Sequence, residues 1–255
     1  MLSYKRTALF VLTFFSLFSG QYAFAREKPS VPVDSSKMNV YFLSGLGADK
    51  RVFSNLKLDD DISVHHIEWV KPLKKETLAH YAGRIISQID TTKPFQLVGV
   101  SFGGMIASEI SEIAKPEQII IISSTSTGIP VSGFYRGLTR FLLASPFAGP
   151  VLKSANKTTY KYFGANTPES KSLLKAILHD TDTKFLKWAL VRTGSWEKKQ
   201  RAENLYHIHG DSDRLIPVNL VTPDTVIAGG GHLTVFEQAD EISAILNKKL
   251  ATRDR

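Results

Sequence analysis

A strand pattern that runs without a linker into a glycine-rich turn and then a helix pattern is the strongest constraint on this chain. Phe95 to Val100 is an apolar, β-prone run. Ser101-Phe102-Gly103-Gly104 interrupts it, and Met105, Ile106, Ile110 and Ile113 then recur at helical spacing. Only a sharp turn joins strand to helix in so few residues. The same alternation repeats along the chain. Asn39 to Leu43 reads as a strand ending at Ser44-Gly45-Leu46-Gly47, and Ile62 to Trp69 as a second before Pro72. A helix between Glu76 and Ile89 carries Leu78, Tyr81, Ala82, Ile85, Ile86 and Ile89 on one face. Ile119 to Ile122 is wholly apolar, as strands covered on both faces are. Late strands at Leu205 to His209 and Thr225 to Ala228 precede a closing amphipathic helix at Glu237 to Leu250. Strands alternating with helices predict an α/β fold with a mainly parallel sheet.

One stretch breaks the rhythm. Between Ser126 and Arg201 no convincing strand occurs, whereas Thr167-Pro168 reads as an N-cap and N1 pair and a second helix is expected from Asp182. The expectation is a helical insertion, about residues 126–201, over the carboxyl edge of the sheet, where α/β proteins bind ligands. Its aromatic residues (Phe134, Tyr135, Phe141, Phe147, Tyr160, Tyr162, Phe163, Trp188, Trp196) either line an apolar pocket or form the insertion's own core.

Gly99-Val100-Ser101-Phe102-Gly103 is a G-x-S-x-G sequence placed where a strand meets a helix. There the serine is forced into a strained conformation with Oγ above the sheet, and the flanking glycines avoid a clash across the turn. A phosphate loop is the competing reading, but the Walker lysine and a G-x-G-x-x-G sequence are both missing. A serine hydroxyl needs a base to take its proton and a carboxylate to orient that base, expected downstream in the order Ser, acid, His. His232 follows the final strand on Gly229-Gly230-Gly231, and Asp213 lies in the loop after the Leu205 strand. Asp213 is preferred to Asp211 because it lies far enough past Gly210 to reach the imidazole; Asp211 is expected to bond its own loop backbone. Ser123 to Thr127, the rival acid position, holds no carboxylate. Oxyanion donors are expected from the amides of Leu46 and Phe102. His65, His66, His80 and His179 are read as surface or core residues. His207 and His209 share a strand face but lack a third ligand, which favours a structural role over a metal site.

Composition narrows the chemistry. The chain has 255 residues and no cysteine, which removes disulfides, Cys-ligated metals and a thiol nucleophile. Its net charge of +8 comes from 32 basic and 24 acidic residues scattered without a long basic run, so nucleic acid is not expected as a partner. Lys5 and Arg6 precede an apolar run from Thr7 to Phe18, and Ala23-Phe24-Ala25 supplies a cleavage spacing. Residues 1–25 therefore read as a signal peptide and 26–37, with Pro29 and Pro32, as a leader before a domain at 38–255. Export to a periplasm or the exterior, with no membrane anchor after cleavage, is the expectation. Without Lys5 and Arg6 the charge becomes +6.

Together these pieces resemble the α/β-hydrolase superfamily. Gly99–Gly103 is similar to its nucleophile elbow, His209–Pro217 to its acid loop and His232 to its base. Ser44-Gly45-Leu46-Gly47-Ala48-Asp49 stands where many members carry a His-Gly oxyanion motif, with Ser in place of that His. The usual first strand pair has no room between Arg26 and Lys37, so the resemblance implies a sheet of about six strands with a helical cap. It implies a serine hydrolase cleaving a small or medium apolar ester through an acyl-enzyme, without cofactor or metal. The alternatives are a non-catalytic ligand-binding protein on this fold, or a cationic protein that docks on an anionic envelope surface.

Overall fold

The computed structural model describes residues 37–129, 143, 145 and 148–250. The expected signal peptide lies outside them, as does the leader apart from Lys37. Six strands, β1 (Met38–Leu43), β2 (Ile62–His66), β3 (Phe95–Val100), β4 (Gln118–Ile122), β5 (Leu205–Gly210) and β6 (Thr225–Ile227), form one sheet in the order β2-β1-β3-β4-β5-β6. Every pairing is parallel. Among the described residues the sheet begins in its interior at β1, steps outward to β2, then returns to β3. The strand order therefore reverses between β1 and β3, and their carboxyl ends open the crevice that such sheets use for ligands. Leu43 pairs with Gly99 and Val100 with Ile122, so the loop after β1 and residue 101 leave the sheet side by side.

The two faces follow from the two-residue period of strands. Tyr41, Leu43, Leu97, Ile119 and Ile121 face α1 (Leu78–Ile85) and α2 (Phe102–Ile113), which contribute Tyr81, Ile85, Ile106 and Ile110. Val40, Phe42, Val98, Ile120, Ile122 and Ile208 face the opposite layer, where Ile242, Leu246 and Leu250 come from the closing helix. Ile119 to Ile122 are fully buried. At roughly 1.5–3 kcal/mol for each buried aliphatic side chain, these four isoleucines anchor the sheet from both faces.

Between β4 and β5 the described residues hold helices and no strand, as expected for the insertion: α3 (Ala148–Leu152), α4 (Lys157–Phe163), α5 (Pro168–Asp180) and α6 (Thr183–Thr193). Their starts follow local chemistry. Thr167 and Ser170 form a capping box ahead of Pro168, Asp182 accepts the Phe185 amide, and Asn156 accepts the amides of Thr158 and Thr159. A short α7 (Thr234–Glu237) precedes α8 (Ala239–Leu250), so the closing helix expected from Glu237 is broken at Gln238. No helix among the described residues is long and apolar enough to cross a membrane.

Candidate active site

Ser101 occupies the turn between β3 and α2 with φ 52° and ψ −119°, a region L-residues rarely adopt. The turn is tight because three backbones meet there. A methyl on Gly103 would strike the carbonyls of Leu43 and Ser44, and one on Gly99 would strike the backbone of Gly103 and Gly104. The Ser101 amide donates to the Ile122 carbonyl at 3.0 Å, and the Ser124 hydroxyl donates to the Ser101 carbonyl at 2.6 Å. Strained backbone is thus held from both sides, and Oγ is left free to point away from the sheet.

That hydroxyl lies 2.8 Å from His232 Nε2, and His232 Nδ1 lies 2.8 Å from Asp213 Oδ2. Asp213 Oδ1 accepts the amides of Leu215 and Ile216, both at 2.9 Å. Asp213 has no other direction in which to turn. Its carboxyl is buried, which alone would raise its pKa. The hydrogen bond and charge of His232 and the Ile216 amide outweigh burial and hold the group below the ordinary carboxylate range. A carboxylate at Nδ1 places the imidazole proton there and leaves Nε2 as an acceptor for Ser101 Oγ–H. Phe163 meets the His232 ring edge-on, with centroids 5.8 Å apart.

The acid and base loops are tied to each other. Asp211 Oδ1 accepts the Gly229 amide at 2.8 Å, and the Ser212 amide donates to the Gly230 carbonyl at 2.9 Å. Asp211 therefore bonds the neighbouring loop rather than the backbone of its own. His209 Nε2 donates to the Ile216 carbonyl at 2.7 Å, while its Nδ1 faces His207 Nε2 at 3.1 Å. The two rings are engaged with each other and with the acid loop. Among the described residues no group of three or more His, Asp or Glu side chains is placed to share a metal ion.

Leu46 and Phe102 flank Ser101 on the wall of a cavity of about 420 Å³. Among the described residues neither amide donates a hydrogen bond, and Phe102 is the first residue of α2, where an amide has no helical acceptor. Met105, Ile177, Leu178, Leu186 and Leu190 line the cavity, and no Lys, Arg, Asp or Glu does so among the described residues. A larger cavity of about 520 Å³ shares Ala48 and Thr181 as walls, but it contains none of Ser101, Asp213 and His232. The reacting group of any ligand attacked by Ser101 belongs in the smaller one.

The insertion's aromatic residues do not line that space as a group. Phe163 alone among the described ones reaches it. Trp188 and Trp196 carry an N–H that needs an acceptor, and they pack instead against the Glu76 carbonyl and the Glu109 carboxylate. Tyr162 is exposed. Phe134, Tyr135, Phe141 and Phe147 lie outside the described residues. Sequence reasoning also missed Ser124 and Thr181, whose hydroxyls brace the carbonyls of Ser101 and Gly47. Single hydroxyls in loops carry no periodic signal.

The chain matches the model of the alpha/beta hydrolase family over residues 40–245 and belongs to that family. No curated protein matches it significantly. Among solved structures, it is similar to a thermophilic esterase from Thermogutta terrifontis with malate bound (15% identity, 85% of this chain, 92% of that one, TM-score 0.62). It is also similar to the enol-lactonase from Burkholderia xenovorans LB400 (13% identity, 85% and 92%, TM-score 0.66). The bottromycin epimerase BotH, solved with bottromycin A2, is a further likeness (12% identity, 84% and 91%, TM-score 0.59). At these identities the likeness is one of fold. A hydrolase and an epimerase share it, so the chemistry has to be argued from the site.

Proposed function

We propose that this α/β-hydrolase is a serine esterase acting on small or medium apolar esters. The observation that carries the reading is the unbroken hydrogen-bond chain from Ser101 through His232 to Asp213 at the wall of an aliphatic cavity. Ser101 Oγ attacks the ester carbonyl as its proton passes to His232 Nε2, and Asp213 stabilises the imidazolium. The amides of Leu46 and Phe102 receive the negative oxygen. On collapse the C–O bond to the alcohol breaks and the alcohol leaves with the proton from His232. Water, deprotonated by the same ring, then attacks the acyl-enzyme and frees the acid and Ser101. Ser44 in place of the family's histidine fits this role, since its hydroxyl bonds the Ala48 carbonyl and closes the oxyanion loop on itself. An aliphatic lining, with no Lys, Arg, Asp or Glu among the described residues, favours neutral acyl groups.

Export is part of the proposal and rests on Lys5, Arg6, the apolar run to Phe18 and Ala23-Phe24-Ala25. N-terminal sequencing of the secreted or periplasmic protein is expected to begin near Arg26. The catalytic test is labelling with a fluorophosphonate and turnover of a chain-length series of p-nitrophenyl esters. Ser101→Ala is expected to abolish labelling and lower kcat by roughly 10⁴-fold or more. A variant that labels as strongly as the parent would end the proposal.

A further inference from the structure

In the oxyanion loop the Gly45–Leu46 peptide plane is fixed by hydrogen bonds rather than by side-chain bulk. Gly45 has no side chain to restrict rotation, and Gly47, at φ +69°, is the left-handed residue that the third position of a type II turn requires. The Gly45–Leu46 peptide decides whether an N–H or a carbonyl faces Ser101. Because a trans peptide is planar, its N–H points opposite to its carbonyl, and fixing one fixes the other. Two donors hold the Gly45 carbonyl. One is the Ala48 amide closing the turn at 3.0 Å, and the other is the indole N–H of Trp69 at 3.1 Å.

Trp69 is itself built in. The Tyr81 hydroxyl takes the Val70 amide at 3.0 Å and donates to the Val70 carbonyl at 2.8 Å, which clamps the chain beside it. The indole packs edge-on against Phe102 at 5.3 Å and lies tilted by 30° against Phe185 of α6 at 6.0 Å. One side chain therefore bonds the peptide that carries the Leu46 amide and touches the residue that carries the second amide. It contacts neither Ser101 nor His232 by hydrogen bond.

We propose that Trp69 is a positioning residue for the reaction, whose indole N–H keeps the Leu46 amide turned into the oxyanion site. The proposal rests on the serine hydrolase reading above. Losing an oxyanion donor outright costs about 10²–10³ in kcat, and Trp69→Phe removes one of the two bonds that orient the donor. The expected result is a fall of roughly 10-fold or more in kcat with KM changed by less than about threefold. The pH profile should keep its shape because the triad is untouched. Affinity for a trifluoromethyl ketone, which forms a tetrahedral adduct with an oxyanion, should fall by the same factor as kcat/KM. Affinity for the matching alcohol should not change. Trp188→Phe, which removes an indole N–H from the same aromatic cluster, serves as the control and should leave kcat unaltered.

If Trp69→Phe fails to fold, site-specific replacement by benzothienylalanine deletes the N–H while keeping the shape. Either variant with parental kcat and parental ketone affinity would overturn the assignment and leave the esterase reading standing. A folded parent that neither turns over esters nor labels with fluorophosphonate would overturn both.

Discussion

At the scale of single residues, the site is one in which each polar atom has few alternatives. Asp213 Oδ1 is occupied by two amides, so only Oδ2 can meet His232. Asp213→Asn should keep the first pair of bonds and place an NH2 opposite Nδ1. The ring then carries its proton on Nε2, where it cannot accept one from Ser101. A fall in kcat near 10⁴-fold is expected, with a circular dichroism spectrum like that of the parent; kcat within tenfold of the parent would remove Asp213 from the proposed mechanism. Gly103→Ala differs in kind, because the added methyl meets the Leu43 and Ser44 carbonyls and no flexible group can yield. Little soluble protein should be recovered. The convergence of Ser101, Asp213 and His232 was legible in the sequence because G-x-S-x-G, the Asp213 loop and the glycine-flanked histidine each follow a strand. Trp69 was not legible as a partner of Gly45, because a bond between loops 24 residues apart leaves no local pattern.

At the scale of elements, strand positions were readable where burial on both faces leaves a run of apolar residues, and β3 spans Phe95–Val100 as its apolar run indicates. Helix starts were readable from Thr167-Pro168 and Asp182, because capping is a local interaction. β2 is shorter than its apolar pattern. His66 is the last residue of β2 paired in register, opposite Phe42, and the Ile67 amide makes the last bond to β1, donating to the Phe42 carbonyl at 2.9 Å. The residues after Ile67 leave the sheet, and that departure carries Trp69 to the loop after β1, where its indole bonds the Gly45 carbonyl. The choice between the two readings of the insertion's aromatic residues is decided by chemistry: the indoles of Trp188 and Trp196 seek acceptors and pack away from the cavity, while α5 and α6 offer it Leu and Ile. Leu190 lines the cavity while remaining partly exposed, so it can be enlarged at small cost to the core. Leu190→Trp should shift the p-nitrophenyl ester optimum towards shorter acyl chains, with longer ones losing kcat/KM about 10-fold or more. An unchanged chain-length profile would place the acyl group elsewhere.

At the scale of the whole molecule, stability in acid is tied to the buried histidines beneath the acid loop. Burial, with His209 and Arg201 nearby, pushes His207 down to about 3 from an ordinary 6.5, and burial lowers His209 as well. Between those two values the unfolded chain binds a proton at residue 207 that the folded chain refuses. Folding is therefore opposed more strongly as pH falls through this window. The contribution of this group is complete above about pH 6.5 and declines towards pH 3. Because His209 Nε2 donates to the Ile216 carbonyl, its Nδ1 accepts from His207 Nε2–H, so protonation of His207 would add its proton and charge at the buried Nδ1. His207→Gln keeps an N–H near the Nε2 position and cannot titrate. The parent should lose urea midpoint between about pH 7.5 and pH 5, and His207→Gln should lose distinctly less over the same interval. His209 retains its own depressed pKa, so the variant's loss should shrink without vanishing. Equal losses in the two proteins would mean that residue 207 accepts its proton in the folded state, and the coupling of this pair to acid stability would fail.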